Sequence, residues 1–228
     1  MSVHVAQTAE ALAERAADRL GSLIAEEVTR SGMCAVALCG GTTPGPILRR
    51  LAQAGLPWTR IRWYFADERC VPPDDKDSNY RGAREALFDR APVPAELVFR
   101  MEGERPDRDN AAGDYARKLP ERMHLALLGI GEDGHFASVF PGSPAVEEAV
   151  RPVMAVQGPK PPPWRLTLTP AALRGTRALM VAAGAGKAAA VRRALEGDEP
   201  PSAVPSRLWR AHEWVVDRAA ASELKAVK

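Results

Sequence analysis

Apolar residues between positions 8 and 30 recur with a helical period. Leu12, Ala16, Leu20, Leu23 and Ile24 share one stripe, with acids and arginines opposite, which predicts a long amphipathic helix. The pattern then changes to short, continuous apolar runs. "MCAVALCGG" (33–41) reads as a buried strand stopped by paired glycines, and "IRWYFADER" (61–69) as a strand running into charge. "HLALLGIG" (124–131), "RLTLT" (165–169) and "RALMVAAG" (177–184) are further strands, a short one is predicted near 97–101, and "HEWVVD" (212–217) is expected to close the sheet. Helices fall between them. "PGPILRRLAQAG" (44–55) has Pro near its start and Gly after its end, and Ser78 is placed to cap a helix through about Asp89. Two more are predicted near 110–119 and over 186–195, and Glu147 and Glu148 also read as helical. Four prolines in "QGPKPPPW" (157–164) forbid helix and central strand, so this segment is expected to be a flexible loop.

Strands alternating with helices, several of them apolar throughout, predict an α/β fold: a Rossmann-like, mostly parallel sheet with helices on both faces. A chain of 228 residues suits one well-cored domain, so residues 1–228 are read as a single unit. In such sheets ligands bind beyond the carboxyl ends of strands, near a reversal in strand order. Four polar stretches occupy such ends here: 40–44, 67–69, 131–135 and 184–187. The topology brings them to one rim, and that convergence argues for a single site.

Composition narrows the function classes. Hydrophobic content of 46% and charged content of 26% are those of an ordinary soluble globular protein. A net charge of +2 is too small to suggest a nucleic-acid partner. No apolar run approaches the roughly 20 residues needed to span a bilayer, and "MSVHVAQTAEALAERAADRL" carries charge throughout, without a signal-peptide core. Cys34, Cys39 and Cys70 form neither an even set nor a C-x-x-C pair. Cys34 and Cys39, at odd separation on one strand, would face opposite ways. A reduced, cytoplasmic protein is the expectation.

Each rim stretch carries candidate chemistry. In "CGGTTPG" (39–45), glycines allow close backbone approach, and Thr42 and Thr43 lie beside the free N–H groups of a helix start. That suits a phosphate cradle, or a tight turn with a threonine cap. Lys187 opens a helix directly after a strand, where its ammonium adds to the positive helix end; a solvated lysine is the alternative. The pattern is not a Walker loop, because Ala188 follows Lys187 and the upstream glycine is missing. Asp67 or Glu68 suits orienting a base or holding sugar hydroxyls, and Arg69 suits an anion, although a local ion pair would also explain them. Asn79 and Arg81 either face the same rim or serve a helix cap and the surface. Asp67, Glu68 and His135 lack metal-ligand spacing.

"GIGEDGHFASVFPG" (129–142) holds Gly129, Gly131 and Gly134 in the G-x-G-x-x-G spacing of a dinucleotide-binding turn. The fingerprint needs a full helix after the third glycine, yet Pro141 arrives too soon, and no acid follows at the next strand's end. What remains is a glycine-bent loop presenting Asp133 and His135, where an imidazole can exchange protons near neutral pH. His4, His124 and His212 lie near the terminus or at strand starts, away from the rim.

Taken together, "LCGGTTP", "FADERCVPPDDKDSNYR", "LLGIGEDGHFASVFPG", "RLTLTPAAL" and "GAGKAAAVRRAL" resemble the 6-phosphogluconolactonase family over nearly the full length and in its order. That family shares its fold with glucosamine-6-phosphate deaminases and ribose-5-phosphate isomerases. "DGHFASVFPG" is similar to the lactonase version of the histidine loop, not the deaminase one. Cys39 stands where serine is usual, Ala66 for glycine, His124 for aspartate, and Phe136 for threonine. Phe136 is the departure nearest the chemistry in sequence, where it would alter the shape or polarity of a pocket. The resemblance implies hydrolysis of 6-phospho-D-glucono-1,5-lactone in the oxidative pentose phosphate pathway. It implies His135 as base, Arg69 or loop N–H groups at the oxyanion, and Asp67 or Asp133 orienting the imidazole or holding sugar hydroxyls. Gly40, Gly41, Thr42, Thr43, Gly131, Lys187 and Arg81 would surround the phosphate. No metal or organic cofactor is expected, because an ester carbonyl is already electrophilic. The implied partner is the small lactone alone, with no nucleic acid and no membrane, and a monomer is compatible. An isomerase or deaminase, and a non-catalytic sugar-phosphate sensor, are the alternatives.

Overall fold

The amphipathic stripe becomes helix α1 (Ala9–Ser31). Its start is set by Thr8, whose hydroxyl accepts the Ala11 N–H at 3.2 Å, a cap worth about 1 kcal/mol. Its end is set by Gly32, left-handed at φ 79°, whose N–H donates to the Val28 carbonyl. All five predicted stripe residues are buried. The structure, a computed structural model, describes residues 2–225.

Nine strands follow among the described residues: β1 (Ser2–Ala6), β2 (Cys34–Leu38), β3 (Ile61–Phe65), β4 (Asp67–Arg69), β5 (Leu125–Gly129), β6 (Val153–Gln157), β7 (Trp164–Leu168), β8 (Arg177–Ala182) and β9 (Glu213–Asp217). Six of them form a parallel sheet in the order β1-β9-β8-β5-β2-β3. The other three form a small antiparallel sheet, β4-β7-β6. Helices α2 (Pro44–Leu51), α3 (Asn79–Ala83), α4 (Arg108–Lys118) and α5 (Ala188–Glu196) complete the framework.

Strand order locates the site. From β1 through β2 to β3 the chain moves toward one edge of the sheet; from β5 through β8 to β9 it moves toward the other. With right-handed crossovers, this reversal puts α1 and α2, which pack on each other, on one face and α5 on the opposite face. Neighbours β2 and β5 flank the reversal. The connections leaving their carboxyl ends diverge and open a crevice between them.

Several expectations need correction. β1 was not foreseen in "SVHVA", and it pairs outside β9, so residues 212–217 lie one strand in from the edge. The run 61–69 is two strands. Ala66 donates its N–H to the Leu38 carbonyl at 2.7 Å and accepts the Leu168 N–H at 2.7 Å, so the chain passes there from one sheet to the other. Residues 165–169 therefore serve the small sheet, with an unforeseen partner in β6. Near 97–101 only Val98 bridges Trp63, after a 3₁₀ turn at Ala95–Leu97. The helix from Ser78 is α-helical through Ala83 and continues as a π turn over Arg84–Phe88. Glu147 and Glu148 follow a 3₁₀ turn, Pro144–Val146, and Glu148 accepts the Val150 and Arg151 N–H groups instead of continuing a helix. The proline-rich segment is a hairpin connection whose flanks, Gln157 and Trp164, are paired strand residues.

The amino ends of the strands carry a pair of similar contacts. His124 Nδ1 accepts the Ala35 N–H at 2.9 Å, and His212 Nδ1 accepts the Ala178 N–H at 3.2 Å. Each nitrogen must be unprotonated to accept. Burial is the first cause holding both imidazoles below the ordinary 6.5; for His124, Glu27 opposes it while Arg122 and Arg30 reinforce it. The unfolded chain therefore takes up these protons first as pH falls. Their contribution is present above about pH 6.5 and is lost as pH falls through the lower folded values. The melting temperature is expected to fall between pH 7.5 and 5.5, and the His124→Gln/His212→Gln variant should show a flatter slope. An unchanged slope would refute the assignment.

Candidate active site

The loop after β5 is built around its glycines. Gly131 donates its N–H to the His135 carbonyl at 2.8 Å, and Gly134 donates to the Gly131 carbonyl at 3.0 Å. His135 Nδ1 lies 2.6 Å from Asp133 Oδ1, which also accepts the His135 N–H at 3.1 Å. A Cβ on Gly131 would lie 2.0 Å from His135 Nδ1, so only glycine leaves room for the ring. Gly134 is needed for its φ of 91° and because a Cβ there would lie 2.8 Å from Val204 Cγ1. The spacing that imitates a dinucleotide turn thus serves the histidine.

Burial works to raise the Asp133 carboxyl, but the hydrogen bond and charge of His135 outweigh it and hold it below its ordinary value. An ionised carboxylate only accepts, so Nδ1 donates to it, and when the imidazole is neutral Nε2 is the nitrogen that can take a proton. The Phe140 ring lies 4.7 Å from the imidazole. Phe136 does not shape the cleft: it is fully buried and meets Trp209 edge-on at 5.3 Å. The departure from threonine at this position is therefore a core substitution.

Asp67 and Glu68, adjacent on β4, part company. Glu68 turns to the start of α3, where it accepts the N–H groups of Asn79 and Tyr80 at 2.7 and 2.8 Å and the Ser78 hydroxyl at 3.0 Å. Asp67 lines the cleft and accepts Asn79 Nδ2 at 2.9 Å and the Ser138 hydroxyl at 2.6 Å. Asn79 is packed so closely over Gly40 that a Cβ there would lie 1.8 Å from its Oδ1. Arg69 lines the same wall, with Nη1 donating to the Asp77 carbonyl at 2.6 Å.

Opposite Arg69 in the β4–β7 register stands Arg165, also on the cleft wall. Burial, reinforced by the charge of Arg69, lowers the proton affinity of Arg165. Its Nε and Nη2 donate to the carbonyls of Pro162 and Lys160 at 2.9 and 3.3 Å, which holds the hairpin loop and Lys160 over the cleft. Two neighbouring guanidinium groups repel each other, and a bound anion would offset that repulsion. Neither Arg165 nor Lys160 was foreseen. The register that sets Arg165 beside Arg69 leaves no trace in local sequence, and Lys160 sits in a segment readable only as loop.

The remaining rim residues assemble as expected. Gly40, Gly41, Thr42, Thr43, Gly131 and Lys187 line one cleft of about 550 Å³ with Asp67, Arg69, Asp133 and His135. Thr43 sits at the N-cap of α2 without a side-chain cap bond, so the turn is not a threonine cap. Lys187 follows Gly184, whose N–H is held by both carboxylate oxygens of Asp217 at 3.0 Å. Cys39, beneath the rim, is a buried thiol pushed up to about 12, first by burial and then by the charge of Asp67. Arg81 is the exception. Its guanidinium bonds Glu85 at 2.7 Å and the Asp74 carbonyl at 2.9 Å and does not line the cleft, because α3 turns it outward. Among the described residues no group of three His, Cys, Asp or Glu is placed to hold a metal ion, and no helix is long and apolar enough to cross a membrane.

Fold and site together define an α/β protein with an imidazole–carboxylate pair at the strand-order reversal, in a crevice lined by Arg69, Lys160, Arg165 and Lys187 as well as Asp67, Glu132 and Asp133. A profile of the family "Glucosamine-6-phosphate isomerases/6-phosphogluconolactonase" matches residues 7–216, and the chain belongs to that family. The 6-phosphogluconolactonase of Mycobacterium tuberculosis is 36% identical over 243 residues, spanning 98% of each chain. A solved 6-phosphogluconolactonase from Trypanosoma brucei superposes with a TM-score of 0.85 at 29% identity, over 98% of each chain. A monomeric glucosamine-6-phosphate deaminase superposes equally well, with a TM-score of 0.85 over 98% of this chain and 100% of that one. At 24% identity it speaks for the shared fold alone.

Proposed function

We propose that this cleft hydrolyses 6-phospho-D-glucono-1,5-lactone to 6-phosphogluconate, the lactone-opening step of the pentose phosphate pathway. The observation that carries the reading is the 2.6 Å Asp133–His135 pair set among cationic groups in the crevice. His135 Nε2 takes a proton from a water as its oxygen adds to C1. The tetrahedral intermediate collapses, the ring oxygen leaves from C1, and the imidazolium returns the proton to it. Asp133 fixes the tautomer and supports the imidazolium, a division of labour also found in serine–histidine–aspartate sites. Asp67 is left to the sugar hydroxyls, since its carboxylate is engaged by Ser138 and Asn79 rather than by the imidazole.

The Asp67–Ser138 hydrogen bond holds β4 against the segment carrying His135. That supports assigning Arg69, with Arg165 beside it, to the oxygen developing charge at C1. The phosphate rests on residues 40–43, Gly131 and Lys187, where the N-terminus of α2 and an ammonium converge. Hydrolysis of freshly made lactone, measured above its spontaneous rate, tests the function. No acceleration, or ammonia release from glucosamine-6-phosphate, would overturn it. Lys187→Ala should raise KM roughly 10- to 100-fold, as expected for a lost charge-assisted contact, with kcat little changed. A selective fall in kcat would contradict a purely anchoring role.

A further inference from the structure

Residues 135–138 differ in environment: His135, Ala137 and Ser138 border the cleft, Phe136 enters the core, and Ser138 is buried against Asp67. The chain turns at Ala137, whose φ of 47° is the one positive value among the described non-glycine residues. A side chain in the left-handed region is strained, and such strain persists only where surrounding contacts impose it. The turn is closed by the Val139 N–H, which donates to the Phe136 carbonyl at 2.9 Å, and Ser138 ties it to its surroundings. Its hydroxyl donates to Asp67 Oδ2 at 2.6 Å, and its N–H donates to Thr167 Oγ1 at 3.2 Å. Thr167 in turn donates its hydroxyl to the Leu168 carbonyl at 3.0 Å and sits opposite Asp67 in the β4–β7 register. Ser138 thus joins the histidine loop, which leaves the large sheet, to both strands of the small sheet that carry Arg69 and Arg165.

From this geometry we propose that Ser138 is a positioning residue. Its bond to Asp67 latches the two sheets at the cleft and sets where Asp67 and its neighbouring guanidinium groups stand relative to the imidazole. Asn79 completes the latch by engaging the other carboxylate oxygen, so rotation of the Asp67 carboxylate is blocked from both sides. The hydrogen bonds of Ser138 itself reach none of the phosphate-holding residues, which the latch borders through Asn79, packed over Gly40. Loss of the hydroxyl therefore misplaces the reacting groups without removing the phosphate contacts. The inference rests on the lactonase reading given above.

The test is a double-mutant cycle in lactone hydrolysis with Ser138→Ala, Asp67→Asn and the double variant, with thermal unfolding of each. Ser138→Ala is expected to lower kcat about 10- to 100-fold, the range for a lost hydrogen bond to a charged group, with KM changed less than threefold, about 0.7 kcal/mol. On the Asp67→Asn background the same substitution should cost almost nothing further, because its effect runs through that carboxylate. Wild-type kcat in Ser138→Ala, or full additivity in the cycle, would overturn the proposal. If the alanine variant unfolds, Ser138→Cys keeps the shape with a weaker donor, and an intermediate kcat is expected. Absence of turnover by the wild-type protein would instead refute the lactonase reading, so the two failures are distinguishable.

Discussion

His135→Ala is expected to lower kcat for lactone hydrolysis by about 10²- to 10⁴-fold, the usual contribution of a positioned acid–base group. The expectation follows from one ring and its two nitrogens. Nδ1 is committed to an ionised Asp133 at 2.6 Å, so Nε2 is the free base. Removing the ring leaves Arg69, Arg165, Lys160 and Lys187 on the cleft wall, so substrate still binds and KM should change little. Stability should fall only modestly, because the side chain is 30% exposed and makes one ring contact, with Phe140. Lactones of this kind also open spontaneously, so the readout is acceleration above that background at early times. A folded His135→Ala protein with near-normal kcat would remove His135 from the role of base.

Gly131→Ala is expected to be nearly as damaging to kcat, on the order of 100-fold, although it deletes no functional group. The added methyl would lie 2.0 Å from His135 Nδ1, 2.2 Å from its Cε1 and 2.6 Å from Asp133 Oδ1. Backbone does not bear the cost, because Gly131 has no positive φ. The imidazole and the carboxylate must move, and a displacement near 1 Å is enough to cost about two orders of magnitude in rate. Gly134→Ala makes the contrast: it forces φ of 91° on a side chain and meets Val204, so it should lower the melting temperature as well. A Gly131→Ala protein with wild-type kcat would show that the imidazole position is not set by this contact.

The residues that were legible without coordinates share a property. Gly40, Thr42, Asp67, Arg69, Asp133, His135 and Lys187 each lie within about five residues of the end of an apolar run, where local pattern alone places them near the carboxyl end of a strand. Arg81 failed that test. It lies within a helix, where its orientation depends on how α3 meets β4, and it turned outward to Glu85. Phe136 misled for a similar reason: adjacency to His135 in sequence says nothing about facing, and His135 borders the cleft while Phe136 packs in the core against Trp209.

Local periodicity by itself determined the α/β class, the long first helix and the rim stretches, because these depend on contacts within a few residues of chain. It also excluded the dinucleotide turn, since Pro141 follows Gly134 too closely for a helix. Pairing across distance was decided only in three dimensions. Whether a short apolar run joins the large sheet or the small one depends on which edge is free to bond it, as the divided bonds of Ala66 illustrate. The same holds for Arg165 beside Arg69 and Ser138 beside Asp67, partners separated by 96 and 71 positions. Strand register and a single strained turn, neither encoded in neighbouring residues, convert separate motifs into one site.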